Sequence, residues 1–81
     1  MANIEGIILF NVVKGGERGA LEQIKSLNGV KKVLILYGEY DGVVVFDVKT
    51  LSELKEIVNT MRSINVVTKT LTYIAVYAIE K

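Results

Sequence analysis

Residues 30–48 read VKKVLILYGEYDGVVVFDV, two runs of β-branched and apolar side chains separated by Gly38-Glu39-Tyr40-Asp41-Gly42. Val30 to Tyr37 predicts one strand and Val43 to Val48 another, and the glycine- and acid-rich segment between them predicts a tight connection. The pair is a hairpin, and a helical pattern flanks it on each side. Upstream, Ala20, Leu21, Ile24 and Leu27 recur at helical spacing between Glu17 and Leu27, with Glu17, Arg18, Glu22, Gln23 and Lys25 on the other face. Asn28-Gly29 closes that helix, since both residues tolerate the left-handed backbone that ends helices. Downstream, Thr50 precedes Glu53 by a capping-box spacing, and Leu54, Ile57, Val58 and Met61 form the next apolar stripe.

Further out, Ile4 to Val13 reads as a first strand that leaves through Lys14-Gly15-Gly16, and about Val66 to Ile79 reads as a last one after Ser63-Ile64-Asn65. The order is β-α-β-β-α-β, an α+β chain expected to form a ferredoxin-like, four-stranded antiparallel sheet with both helices on one face. No Pro or linker interrupts it, so residues 1–81 predict a single domain. The sheet strands carry apolar side chains on both faces. In strand one Ile8, Phe10 and Val12 oppose Ile7, Leu9 and Val13; in the last strand Val66, Ile74, Val76 and Ala78 oppose Val67, Leu71, Tyr73, Ala75, Tyr77 and Ile79. Two helices cover only one of those faces, which predicts that a second copy covers the other. A standard interface of about 800 Å² per partner, somewhat over half apolar, gives roughly 20 kcal/mol of gross hydrophobic stabilisation. That exceeds the ~4–15 kcal/mol cost of association.

Composition narrows the chemistry. The chain has 81 residues, no Cys and no His, so disulfides and the usual zinc, haem and iron–sulfur ligand sets are ruled out, and a reducing cytosol fits. No cofactor is expected. Net charge is +1 with the ten basic residues interleaved among nine acidic ones, which shows no phosphate-binding footprint and argues against direct nucleic-acid binding. No apolar run is long enough for a membrane helix, and Met1 to Phe10 has neither a basic start nor a cleavage site.

The densest cluster of polar chemistry is Tyr37 to Gly42. Turn formation alone explains it, because Asp-Gly favours hairpin turns and Gly38 permits unusual backbone angles. A carboxylate such as Asp41 beside glycine-freed N–H groups is also suited to hold the ammonium and carboxylate of an amino acid. Thr68, Thr70 and Thr72 alternate on the last strand and offer hydroxyls, although Thr is also simply a good strand residue.

Gly38-Glu39-Tyr40-Asp41 after a strand, with Asn65-Val66-Val67-Thr68-Lys69-Thr70 opening the last one, resembles the ligand-binding (RAM) domain of Lrp/AsnC regulators over nearly the whole chain. The resemblance implies dimers formed through the sheet faces and further assembly into octamer-like rings of four dimers. It also implies an amino-acid effector bound between dimers at Gly38, Glu39, Tyr40, Asp41, Thr68 and Thr70. Tyr37 stands where the family usually has a small hydroxyl residue, and Asn65 where it usually has Gly. Family regulators carry an N-terminal helix-turn-helix, whereas this sequence opens on strand one. The expectation is therefore a stand-alone effector domain that does not bind DNA by itself and acts on transcription by co-assembling with a DNA-binding relative.

Two other readings compete. An ACT-type domain shares the element order and binds amino acids near a first loop like Gly15-Gly16-Glu17-Arg18-Gly19. A dimeric α+β-barrel enzyme shares the dimer, but only carboxylates, Tyr and Lys are present as acid–base groups. RNA binding through the sheet fails on Val43 to Val48, which lacks the basic and aromatic pattern such a sheet needs. A non-enzymatic regulator is the expected outcome.

Overall fold

The chain, here as a computed structural model, is described over residues 3–79; residues 1, 2, 80 and 81 of the expected single domain lie outside that part. Six elements follow in order: β1 Ile4–Val12, α1 Glu17–Ile24, β2 Val30–Ile35, β3 Gly42–Val48, α2 Leu51–Ser63 and β4 Val67–Ile74. The strands lie in the order β2-β3-β1-β4 with every neighbouring pair antiparallel. This is the expected ferredoxin-like α+β arrangement. Each helix spans one crossover: α1 carries the chain from β1 over β3 to β2, and α2 carries it from β3 over β1 to β4.

The core explains why both helices share a face. Ile8, Phe10 and Val12 of β1 and Val44, Phe46 and Val48 of β3 are buried together with Ala20 and Ile24 of α1 and Leu54, Ile57 and Met61 of α2. Alternate strand residues point to one side, so all of these sheet residues face the same helix layer. Within that layer each phenylalanine lies opposite a glycine across the β1–β3 pair, Gly6 against Phe46 and Gly42 against Phe10. A methyl group on Gly6 would stand 2.7 Å from Cζ of Phe46, and one on Gly42 would stand 2.6 Å from Cε2 of Phe10. Each ring therefore occupies the space that a side chain on the glycine would need, which fills the gap a strand glycine leaves. Gly42 thus opens β3 as a packing residue and is not part of the connection.

The capping box forms as expected. Thr50 Oγ1 accepts from the Glu53 N–H at 3.1 Å, and Glu53 Oε1 accepts from the Lys49 N–H at 2.7 Å, one residue ahead of the cap itself.

Four expectations need correction. The last strand stops at Ile74 and does not reach Ile79, because Gly6–Ile74 is the final pair and the Ala75 N–H makes one more bond to the Glu5 carbonyl at 2.7 Å. Beyond that bond β4 no longer pairs with β1, although Ile4 and Glu5 of β1 still pair with β3. β2 ends at Ile35, leaving Tyr37 fully exposed in the connection, and α1 ends at Ile24, short of Leu27. Finally, β4 is irregular at its start: Asn11 pairs with Lys69 but Val12 pairs with Val67, so Thr68 is an extra residue. Such a bulge moves everything before it to the other face. Val67 accordingly sits on the helix side against the core, not on the side of Leu71 and Tyr73. Thr70 and Thr72 share a face as expected, opposite Phe10 and Ile8, and Thr68 falls out of that alternation.

The second face is built from Ile7 and Leu9 of β1, Val43 and Val45 of β3, Leu71 and Tyr73 of β4 and Leu34 of β2, which are cross-strand neighbours. No described element of the chain lies over it, and Ile7, Leu34 and Tyr73 are exposed.

Candidate functional site

Asp41 organises the end of the sheet where β1 finishes and β3 begins. Its backbone N–H donates both to the Phe10 carbonyl at 3.0 Å and to Asn11 Oδ1 at 2.9 Å, while its Oδ2 accepts from the Val12 N–H at 2.8 Å. Its carbonyl accepts from the Leu36 N–H at 2.9 Å, which closes the β2–β3 connection. The residue is half-buried, and a charge-assisted bond of this kind contributes about 1.5–3 kcal/mol. Asp41 therefore has a structural duty that its place in a turn does not announce, and its truncation to Ala would loosen the fold. Its second oxygen, Oδ1, makes no hydrogen bond among the described residues.

Tyr40 is the next contributor. The Lys69 ammonium stands 5.7 Å from the centre of its ring, within cation–π range. Lys69 reaches it from β4 across the intervening Asn11, its partner in the β1–β4 pair. The rows Asp41–Asn11–Lys69 and Gly42–Phe10–Thr70 thus place the two sequence motifs at one end of the sheet, two strand widths or about 10 Å apart.

The expected residues separate into two groups. Gly38, Glu39, Tyr40 and Asp41 lie together on the connection, Gly38 and Glu39 exposed and Tyr40 and Asp41 half-buried. Thr68 and Thr70 instead line, with Arg62, Val67 and Lys69, a separate open cavity of about 310 Å³ at the outer edge of β4. Two contributors were not anticipated, Asn11 and Lys69. The signal for Asn11 was a lone amide inside the apolar run Ile7 to Val13; Lys69 was screened by the threonines on either side of it.

A larger cavity of about 420 Å³ lies at the opposite end of the domain, between the end of α1 and α2, and is lined by Ser26, Asn28, Glu53, Glu56 and Thr60 among others. It offers acidic and amide groups with no cation. No cluster of three or more His, Cys, Asp or Glu among the described residues is placed to hold a metal ion, and no described helix is long and apolar enough to cross a membrane.

Comparison with known proteins bears on the whole chain. No protein-family model matches it, and no curated protein matches it. Solved structures do. A Thermus thermophilus protein, TTHA0845, superposes with a TM-score of 0.89 at 26% identity, covering 96% of this chain and 99% of that one. A protein solved as FFRP-DM1 is 31% identical with a TM-score of 0.83, covering 90% of this chain and 99% of that one. Escherichia coli AsnC, at 18% identity and a TM-score of 0.86, and the leucine response regulatory protein LrpA of Mycobacterium tuberculosis, at 16% and 0.73, share the fold. In both of these the chain spans about half the length of the longer protein, 54% and 53%. The fold is thus one found in Lrp/AsnC regulators, and at 31% identity along almost all of both polypeptides this chain belongs to the same family as FFRP-DM1.

Proposed function

We propose that the chain is an amino-acid-sensing domain of the Lrp/AsnC type, working as a dimer through its open sheet face. The observation that carries this is that face itself. Ile7, Leu9, Val43, Val45, Leu71 and Tyr73 form a contiguous apolar surface, and surfaces of that kind mark association sites. The regulatory role rests on the likeness to LrpA, whose name records a leucine response, and to AsnC.

The effector site is the Asp41 end of the sheet. Asp41 Oδ1 takes the ammonium of an amino acid, the Lys69 ammonium and backbone N–H groups around Gly38 take its carboxylate, and Tyr40 walls the side chain. Thr68 and Thr70 lie outside this first contact and shape the β4 margin. Dimers assemble further into rings around such sites, and co-assembly with a DNA-binding relative transmits occupancy to transcription in the cytoplasm.

The test is a thermal-shift screen against the twenty amino acids, followed by calorimetric titration of Asp41→Asn. A ligand at 100 times its dissociation constant stabilises the native state by about 2.7 kcal/mol. For a domain of this size that raises the melting temperature by roughly 10 °C or more. Asn keeps an acceptor for the Val12 N–H but removes the charge that pairs with ammonium, so the variant should melt normally and lose the titration heat. A chain unmoved by every amino acid, or an Asp41→Asn variant that binds as well as the parent, would sink the site.

A further inference from the structure

Two steps in the chain join an acid or amide to a glycine, Asn28-Gly29 between α1 and β2 and Asp41-Gly42 between β2 and β3. Glycine carries no side chain to shield its own nitrogen, so in both pairs that nitrogen has a clear approach to the side-chain carbonyl carbon before it. The fold treats the two pairs differently. Asp41 is half-buried, its Oδ2 is held by the Val12 N–H at 2.8 Å, and its own N–H and carbonyl are both engaged. Asn28 is exposed, its side-chain amide makes no hydrogen bond among the described residues, and the Gly29 N–H donates to none of them.

The backbone around this free pair is anchored. The Leu27 N–H donates to the Ile24 carbonyl at 3.1 Å, the Val30 N–H to the Leu27 carbonyl at 3.2 Å, and the Gly29 carbonyl accepts from the Asp47 N–H at 2.8 Å. Gly29 itself has φ +90°, and a Cβ there would stand 2.5 Å from Cγ1 of Val48. Any other residue would be strained in its backbone and would collide with the core. The fold therefore demands at position 29 the one residue that leaves Asn28 unshielded.

We infer that Asn28 is a site of spontaneous modification in the folded chain. The Gly29 nitrogen forms a bond to Cγ of Asn28, the Cγ–Nδ2 bond breaks, and the nitrogen's proton leaves with the amide as ammonia. The five-membered imide that remains is opened by water at either of its two carbonyls, giving aspartate or isoaspartate; no oxidant or reductant takes part. Asparagine is among the thermolabile residues for this kind of reason. Either product adds one carboxylate to the nine acidic residues already present, which matches the ten basic ones and takes the net charge from +1 to zero. A chain without net charge associates more readily. The two products differ in what they do to the fold. Aspartate leaves the main chain unchanged, and its carboxylate borders a cavity of about 320 Å³ that also carries Lys31 and Lys49. Isoaspartate inserts a methylene into the main chain directly before Gly29, whose carbonyl holds Asp47 and whose α-carbon is hemmed in by Val48.

The experiment ages the full chain in warm, mildly alkaline buffer, once folded and once in concentrated urea. Acidic species are counted by isoelectric focusing and located by peptide mapping with a fragmentation that separates aspartate from isoaspartate. The acidic species should map to residue 28, with Asn3, Asn11, Asn59 and Asn65, each followed by a larger residue, as internal references. The folded chain should react within about tenfold of the rate in urea, because waiting for local opening slows a reaction tenfold for each ~1.4 kcal/mol of opening free energy. Asn28→Gln keeps an amide but must close a six-membered ring, and it should lose the acidic species. A folded chain that reacts more than tenfold slower or not at all, an acidic species that maps to another residue, or one that persists in Asn28→Gln would overturn the site. The isoaspartate form should melt below Asn28→Asp, which should melt like the parent; equal melting of the two products would overturn the effect assigned to the inserted methylene.

Discussion

The two faces of the sheet are almost equally apolar, yet only one of them is a core. On the helix side Phe10 and Phe46 lie over Gly42 and Gly6, and Val44, Ile8 and Met61 fill the space beneath the helices. On the open side Ile7, Leu9, Val43, Val45, Leu71 and Tyr73 form a flatter surface with charge at both ends. The difference teaches what apolar character alone does not reveal. A face committed to its own chain interlocks large residues with missing ones, while a face suited to another chain is smooth at the centre and marked by charge at its rim.

Phe46→Ala should break this contrast hardest, because it empties a fully buried site that no helix can sink into. The expected loss is about 3–5 kcal/mol by urea unfolding. A loss under 1 kcal/mol would mean that the aromatic–glycine interlock carries little. Gly42→Ala tests the same interlock from the other side. The added methyl meets the Phe10 ring, and overpacking of this kind costs roughly 1–3 kcal/mol. Gly19→Ala provides the counterpart: it sits in α1 with open space around its Cβ, so it should stabilise the helix by about 0.5–1 kcal/mol. Equal effects at the two glycines would refute the packing role assigned to Gly42. Thr50→Ala removes only the cap on α2 and should cost about 1 kcal/mol.

How much of this was legible beforehand follows from the range of the interactions. The helices, the hairpin and the element order are local patterns, and the stripe from Leu54 to Met61 or the alternation around Phe10 reads directly. Thr50 and Glu53 are three residues apart, so their mutual capping reads just as directly. The end of β4 was not legible, since residues 75–79 alternate like a strand and where their pairing stops is decided by β1, far away in sequence. The bulge at Thr68 is likewise a property of pairing with Asn11 and Val12, which lie far away in sequence. The site divides the same way. Glycine and acid in the connection were visible, but the bond from Val12 to Asp41 spans 29 residues and Lys69 reaches Tyr40 from another strand, so both depend on strand order.

The smallest effect on a single folded copy should come from Tyr73→Asp, and it sharpens the contrast most. Tyr73 is 53% exposed on the open face, opposite Ile7, and its ring contributes to no part of the helix-side core. In dilute solution, where copies are apart, replacing it costs only strand preference, which is below about 1 kcal/mol. At high concentration the same change sets a carboxylate in the middle of an apolar interface, where an unpaired charge is expensive. Stability measured as a function of protein concentration therefore separates the two roles. The parent's unfolding midpoint should climb with concentration, as it does when association is linked to folding, and the variant's should stay flat. Parallel curves for the two proteins would show that the open face, however apolar, is not where copies meet.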